Sequence, residues 1–338
     1  MIGRRMFTKA MGTGIAAASL GGVPAASAVS AAPSGFAPIK QVRAGLLDVG
    51  YAELGPAHGP AVLCLHGWPY DIHSYADAAP LLAAQGYRVI VPYLRGHGTT
   101  RFLSERTVRN AQQSAIALDV LALMDALKID RAVLAGFDWG SRTADIVAAL
   151  WPERVRALVS VSGYLVTNRE ANLKPLSAQA EHAWWYQYYF ATERGRTALE
   201  TPDLRRDLAR LVWRTASPTW DFDDATFDRA ATAFDNPDYP AIVLHNYRWR
   251  LSLADGERRY DALEKRLATR PTIGVPTITL DPEKDPFTAP GDGTSYRDRF
   301  TGPYEHRTLP GIGHNLPQEA PAAFARAVVD ATRLPSHR

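Results

Sequence analysis

The chain has 338 residues, of which 46% are hydrophobic and 22% charged, with a single cysteine, Cys64. Such a chain is globular with a large core, and one cysteine excludes an intramolecular disulfide and a multi-cysteine metal cluster. The formal net charge of +3 sits at the N-terminus: the first 34 residues hold Arg4, Arg5 and Lys9 and no acid, leaving 35 basic and 35 acidic side chains in the rest, which argues against a nucleic-acid binder.

Residues 1–34 open with Arg4-Arg5-Met6-Phe7-Thr8-Lys9, followed by an uncharged Ala- and Gly-rich stretch. A basic start, a moderately apolar run and small residues before a cut are the layout of an export signal. The paired arginines followed by Phe and Lys resemble the twin-arginine class, a receptor-read address that is not a stable membrane anchor. Cleavage is expected after Ala26-Ser27-Ala28 or Val29-Ser30-Ala31, which puts the mature chain in a bacterial periplasm or medium.

From there the chain alternates. Ile39 to Asp48 reads as a strand. Ala61 to Leu65 is a buried strand running into His66-Gly67-Trp68-Pro69, and Tyr87 to Pro92 is another, closed by Arg95-Gly96-His97-Gly98. Apolar residues at helical spacing predict a helix over Gln112 to Leu127. A strand over Arg131 to Ala135 is cut sharply by Gly136-Phe137-Asp138-Trp139-Gly140-Ser141, a helix follows over Thr143 to Leu150, and Val155 to Val161 is the next strand. This alternation calls for a mainly parallel sheet covered on both faces. Beyond Gly163 the texture changes to Trp, Tyr, Arg and Asp, with helices expected over Leu199 to Trp213 and Asp238 to Leu253. Strand character returns at Thr277 to Leu280 and Arg307 to Leu309, and Ala320 to Arg333 closes the chain as a helix. The reading is an α/β domain (35–164 and 269–338) interrupted by a mainly helical lid (165–268).

The chemistry centres on Asp138. Glycines two before and two after it leave room for a side chain lifted into a strained strand-to-helix turn, the geometry of a nucleophile elbow. With Asp in place of Ser, attack suits a strained carbon or one bearing a leaving group, and the product is an aspartyl ester that activated water must open. An Asx-turn or helix cap is the structural reading of the same residue. Ser141 is a rival nucleophile without the centred glycines. His314, in a Gly-rich turn after the last strand, suits a general base. Asp285 follows the preceding strand and is the candidate to orient it, with Asp281 and Glu283 as neighbours in competition. The order Asp138, Asp285, His314 is the nucleophile–acid–base order of this sheet architecture.

These motifs resemble the α/β-hydrolase superfamily, and within it the aspartate-nucleophile epoxide hydrolases and haloalkane dehalogenases, over residues 38 to 336. The resemblance implies an α/β-hydrolase fold. His66-Gly67-Trp68-Pro69 matches the oxyanion motif, which assigns the backbone N–H groups of Trp68 and Trp139 to the oxyanion hole. Arg95-Gly96-His97-Gly98 matches a structural turn, with Tyr93 where the family usually has Asp. Tyr186-Gln187-Tyr188-Tyr189-Phe190 and Asn246-Tyr247-Arg248 resemble the two lid segments that carry the epoxide-polarising tyrosines, although the Trp usual before the second tyrosine is absent. Tyr186 and Tyr247 are therefore the expected pair, with Tyr188 and Tyr189 as alternatives for the first. His66, Phe137, Trp185 and Tyr189 are expected to contact substrate. Fluoroacetate dehalogenases carry arginines one and four positions after the aspartate to hold a carboxylate. Here only the fourth is Arg, so Arg142 reads first as structural and second as a contact for a polar or anionic substrate.

The expected function is hydrolysis of a small-molecule epoxide, its size not fixed by the sequence, to a vicinal diol, with water as co-substrate and no metal or organic cofactor required. A haloalkane or haloacid dehalogenase uses the same aspartate and would bind halide with indole N–H groups such as those of Trp139, Trp184, Trp185 or Trp249. A C–C, ester or lactone hydrolase and a non-catalytic binding protein of the same fold are further alternatives. For the export reading, N-terminal sequencing of exported protein is expected to start near residue 29 or 32; a chain still beginning at Met1 would contradict it.

Overall fold

The computed structural model describes residues 35–36, 38–288 and 291–335; the expected export segment lies outside them. Nine strands form one sheet among these residues: β1 (Lys40–Ala44), β2 (Leu47–Leu54), β3 (Ala61–Leu65), β4 (Arg88–Pro92), β5 (Arg101–Phe102), β6 (Ala132–Gly136), β7 (Val155–Val161), β8 (Thr277–Pro282) and β9 (Tyr304–Leu309). Their order is β1-β2-β4-β3-β6-β7-β8-β9, with the short β5 on β2. β1, β2 and β4 pair antiparallel, and every pairing from β4 through β3 to β9 is parallel.

The central strands are buried end to end, Ala-Val-Leu-Cys-Leu in β3 and Ala-Val-Leu-Ala-Gly in β6. Continuous apolar runs of this kind fit a strand with both faces covered. The cover comes from α1 (Ala78–Ala84), α2 (Gln113–Ala126), α3 (Trp139–Leu150) and, after the lid and two further strands, α11 (Leu316–Glu319) and α12 (Pro321–Ala331). Between β7 and β8 lie α4 (Ala178–Ala183), α5 (Trp185–Ala191), α6 (Glu193–Glu200), α7 (Pro202–Ala216), α8 (Asp224–Ala231), α9 (Tyr239–Arg250) and α10 (Asp261–Ala268). Trp213 Nε1 on α7 donates to the Pro69 carbonyl at 2.6 Å, and Asn236 Nδ2 donates to the carbonyls of Gly98 and Thr100 at 3.1 and 2.7 Å. These bonds tie the inserted helices to loops at the carboxyl ends of β3 and β4. No helix of the described residues is long and apolar enough to cross a membrane.

Among the elements that differ from the sequence expectation, three do so for an identifiable local reason. The first strand is a hairpin, because Gly45 with φ +56° turns the chain between β1 and β2. The helix expected over Leu199 to Trp213 is two helices, α6 and α7, because Pro202 lacks an N–H and starts a helix more readily than it continues one. α3 begins at Trp139, four residues earlier than expected, because the elbow passes directly into it.

The elbow needs the strand and helix at very close range. A Cβ on Gly140 would run into the Leu65 carbonyl of β3. Gly140→Ala is expected to lower stability by about 1–3 kcal/mol, read as a lower denaturant midpoint at unchanged m-value.

Candidate active site

The parallel strands deliver their next residues to one edge of the sheet, where ligands of open α/β sheets bind. Asp138 follows β6 with φ +51° and ψ −120°, a conformation that costs energy for a non-glycine residue and persists only where the surroundings impose it. Its carboxylate lies against the turn after β3: Trp68 N–H donates to Asp138 Oδ1 at 2.7 Å. Gly67 has to be small there, since a Cβ would strike that carboxyl group. Trp139 is the first residue of α3, so its N–H is one of the donors that a helix start leaves without an intrahelical partner. Ser141 points the other way. It is fully buried, its hydroxyl donates to the Gly136 carbonyl at 2.6 Å, and it accepts Val161 N–H at 2.9 Å.

His314 reaches the same point from the loop after β9. Its Nε2 is 3.8 Å from Asp138 Oδ2, and its Nδ1 is 2.8 Å from Asp285 Oδ2. Asp285 also accepts the N–H of Phe287 at 2.8 Å. The neighbouring acids are engaged elsewhere: Asp281 accepts from the Tyr296 hydroxyl at 2.8 Å, and Glu283 from Gly311 N–H at 2.8 Å. The histidine loop is pinned on both sides by Glu319, a residue the sequence reading missed. Its carboxylate accepts Gly313 N–H at 2.8 Å, Asn315 N–H at 3.1 Å and the Ser217 hydroxyl at 2.6 Å. His314 N–H donates to the Ala216 carbonyl at 3.2 Å.

The inserted helices close over this edge. Asp138, Arg142, Trp184, Tyr186, Phe287 and His314 line a cavity of about 20 Å³, about the room one water needs. Tyr186 on α5 and Tyr247 on α9 are buried side by side, ring centroids 5.4 Å apart, and both rest on Trp68 at 5.1 and 5.3 Å. Tyr247 also packs on Trp139 at 5.8 Å. Tyr188 is 46% exposed and its hydroxyl bonds Glu181 on the outer face.

Four residues expected to contact substrate lie outside this cavity lining. Both ring nitrogens of His66 are spent within the scaffold, Nδ1 2.9 Å from the Gly67 carbonyl and Nε2 accepting Leu94 N–H at 3.1 Å. Phe137 faces the core against Tyr70 at 5.2 Å, because its neighbour Asp138 takes the outward position. Trp185 and Tyr189 pack on each other at 5.8 Å along α5, four residues apart and therefore together on one side of Tyr186. Trp184, named only as a possible halide donor, lines the cavity, and Phe287 and Arg250 were missed. Arg250 carried a readable signal, since it sits three residues after Tyr247 on the same helix face. Arg248, which the sequence motif named, points out and donates to the Phe190 carbonyl at 2.8 Å.

The charges are arranged against burial. Desolvation opposes charging His314, yet Asp285 and Asp138 push its imidazole up to about 10. Desolvation likewise opposes ionising Asp138, but His314, then Arg142 and the Trp68 N–H hold its carboxyl below the usual range. Burial raises both Tyr186 and Tyr247, helped by the Asp138 charge, so both phenols keep their protons at neutral pH. A carboxylate, an imidazole and a second carboxylate in line can support covalent attack followed by base-activated water.

Residues 60–321 match the family described as alpha/beta hydrolase fold. A crystal structure of a candidate epoxide hydrolase from Klebsiella pneumoniae subsp. pneumoniae MGH 78578 is 59% identical, with a TM-score of 0.86 over 88% of this chain and 98% of that one. An epoxide hydrolase of Caballeronia sordidicola is 35% identical over 115 residues, 34% of each chain. A haloalkane dehalogenase of Mycobacterium marinum is 29% identical over 216 residues, 60% of this chain and 67% of that one. The chain aligns with between 32% and 46% of the length of the curated epoxide hydrolases it matches first.

If the Asp138 charge helps hold the proton on His314, removing it must lower the imidazole pKa. Asp138→Asn is expected to move the His314 titration, followed by NMR, down from about 10. An unchanged titration would mean that Asp138 does not contribute.

Proposed function

The chain belongs to the alpha/beta hydrolase fold family, and from that membership and the site geometry we propose that it hydrolyses an epoxide to a vicinal diol through an aspartyl ester. The observation that carries this reading is a pair of buried, protonated phenols: Tyr186 lines the Asp138 cavity, and Tyr247 packs directly against Tyr186, Trp68 and Trp139. An epoxide needs hydrogen-bond donors at its oxygen as the ring opens, and two phenols supply them.

In the proposed reaction, Asp138 Oδ2 attacks a ring carbon and the carbon–oxygen bond breaks toward the tyrosines. Oδ1, held by Trp68 N–H at 2.7 Å, becomes the ester carbonyl. The ester no longer carries the charge that supports the His314 proton, so the imidazole gives that proton up. The ring-opened oxygen takes up one proton through the phenols, which balances the step. Neutral His314, oriented by Asp285, then takes a proton from water. The hydroxide adds to the ester carbon, and the N–H groups of Trp68 and Trp139 stabilise the oxyanion. Collapse breaks the bond from the carboxyl carbon to Oδ2, the leaving alkoxide takes a proton from His314, and the new Asp138 carboxyl passes its remaining proton to the neutral imidazole, which restores the resting pair as the diol departs. The composition of residues 1–34 supports export of the enzyme to the periplasm or beyond.

One observation favours dehalogenation as a second reading. The indole nitrogens of Trp68 and Trp139 are buried without a hydrogen-bond partner, and indole N–H groups can hold a departing halide. A product-resolved screen separates the two, with diol expected from epoxides and no halide from chloro- or bromoalkanes. Tyr186→Phe and Tyr247→Phe are each expected to lower kcat by about 10- to 100-fold. A single turnover in ¹⁸O water is expected to leave the diol unlabelled and put the label in Asp138; label in the first diol would overturn the covalent route.

A further inference from the structure

The space beside the nucleophile is too small for a substrate. At about 20 Å³ it has room for one water, whereas an epoxide ring alone has three heavy atoms. Part of the wall therefore has to give way when substrate binds. Much of that wall is held by the scaffold. Leu165 is fixed from two sides: its carbonyl accepts from Arg142 Nε at 3.1 Å, and its N–H donates to Asp145 at 2.7 Å. Phe287 is tied to the triad, with its N–H on Asp285 at 2.8 Å and its ring 5.0 Å from that of His314. Tyr186 is buried among Trp68, Phe190 and Tyr247.

Trp184 is held differently. It ends α4 and starts α5, and it is only partly buried. It lines the Asp138 cavity and also a second, more open cavity of about 110 Å³. Among the described residues it is the one common to both linings. Its Nε1 donates to the Phe287 carbonyl at 3.1 Å, its ring meets that of Phe287 edge-on at 5.9 Å, and the Arg250 guanidinium lies 5.1 Å away. One neutral hydrogen bond is a modest restraint. The outer space is lined by Arg250, Leu251, Leu176 and Tyr188, the last two exposed to solvent.

We propose that Trp184 is a specificity-determining residue: its indole is the partition between a reacting chamber and an outer chamber, and it limits the enzyme to short terminal epoxides. The proposal rests on the epoxide reading for the reacting ring, but not for the partition. On binding, the indole turns off the Phe287 carbonyl toward the outer space, and the epoxide takes the volume it vacates beside Asp138. Room opens on that one side, so the ring carries its substituent on one carbon and points it at Trp184. A substituent of about two carbons fits, and a longer one presses on the displaced ring. Without the indole the two chambers become one. A long chain then runs from Asp138 toward Leu176 and Leu251, where each buried methylene adds about fourfold in affinity.

The test compares 1,2-epoxybutane with 1,2-epoxyoctane, which share the reacting ring and differ only in chain length. With unmodified enzyme, kcat/KM is expected to be at least about tenfold higher for epoxybutane, because extra methylenes are forced against a packed wall. In Trp184→Ala the ratio is expected to reverse in favour of epoxyoctane, because the obstruction is gone and the added methylenes are buried. Trp184→Phe is the milder variant, a smaller ring without the bond to the Phe287 carbonyl, and its ratio is expected to lie between the two. A ratio near one or favouring epoxyoctane in the unmodified enzyme overturns the proposal without any variant having to fold. If folded Trp184→Ala slows on both substrates and keeps the ratio, Trp184 only packs the inserted helices on the sheet domain, and the proposal is overturned. If neither epoxide turns over but 1-bromobutane releases bromide, the epoxide reading has failed. The partition is then judged on 1-bromobutane against 1-bromooctane, with the same ratios expected. If neither series reacts, octanamide is titrated by quenching of tryptophan fluorescence. It is expected to bind Trp184→Ala at least about tenfold more tightly than the unmodified protein; equal binding, or none, overturns the partition.

Discussion

A carboxylate held at 15% exposure between a backbone N–H and an imidazole is the constraint on which the site depends. Burying that charge is unfavourable, and nothing apolar could compensate it. The compensation comes from two other strand ends at once, Trp68 after β3 and His314 after β9, while Asp138 itself follows β6. Asp285, after β8, completes the set by balancing His314. A parallel sheet brings these residues together because all the contributing strands end on the same edge. The strained φ of Asp138 is tolerated in that setting, with the close approach of Gly140 to β3 holding the turn in place.

The inserted helices do more than cover this edge. They contribute the two phenols and Arg250, and they are laced to the histidine loop. Ser217, just past α7, shares the Glu319 carboxylate with the backbone on both sides of His314. Thr219 adds a bond to the Gly311 carbonyl at 2.8 Å. The position of the imidazole thus depends on the cap as well as on the sheet. The cavity left between the two layers is small, about 20 Å³.

Charge has to be read at two scales. Without residues 1–34 the chain has equal numbers of basic and acidic side chains, and a net charge of zero suggests no preference for a charged ligand. The site has its own balance. Buried arginines count for more than surface ones, because the low-dielectric interior screens them less. Several of the acids that cancel them in the total are at the surface, paired with other arginines as Asp224 and Asp228 are with Arg210.

The parallel core was legible because its strands are continuous apolar runs, and a run of that kind admits few placements. The elbow was legible because a strand that meets a helix this closely needs glycines at fixed offsets from Asp138. The order of Asp138, Asp285 and His314 along the chain was legible for the same topological reason. The hairpin at Gly45 and the helix break at Pro202 rest on single residues inside otherwise continuous patterns, and those patterns concealed them. Choices among equivalent neighbours were not legible at all. Asp281, Glu283 and Asp285 are all acids near one strand end, and they separate only by the partner each meets. His66 and Phe137 sit beside site residues in sequence yet face the scaffold, and Arg250 rather than Arg248 faces inward. Adjacency along the chain is local, whereas the direction of a side chain depends on packing between segments far apart in sequence.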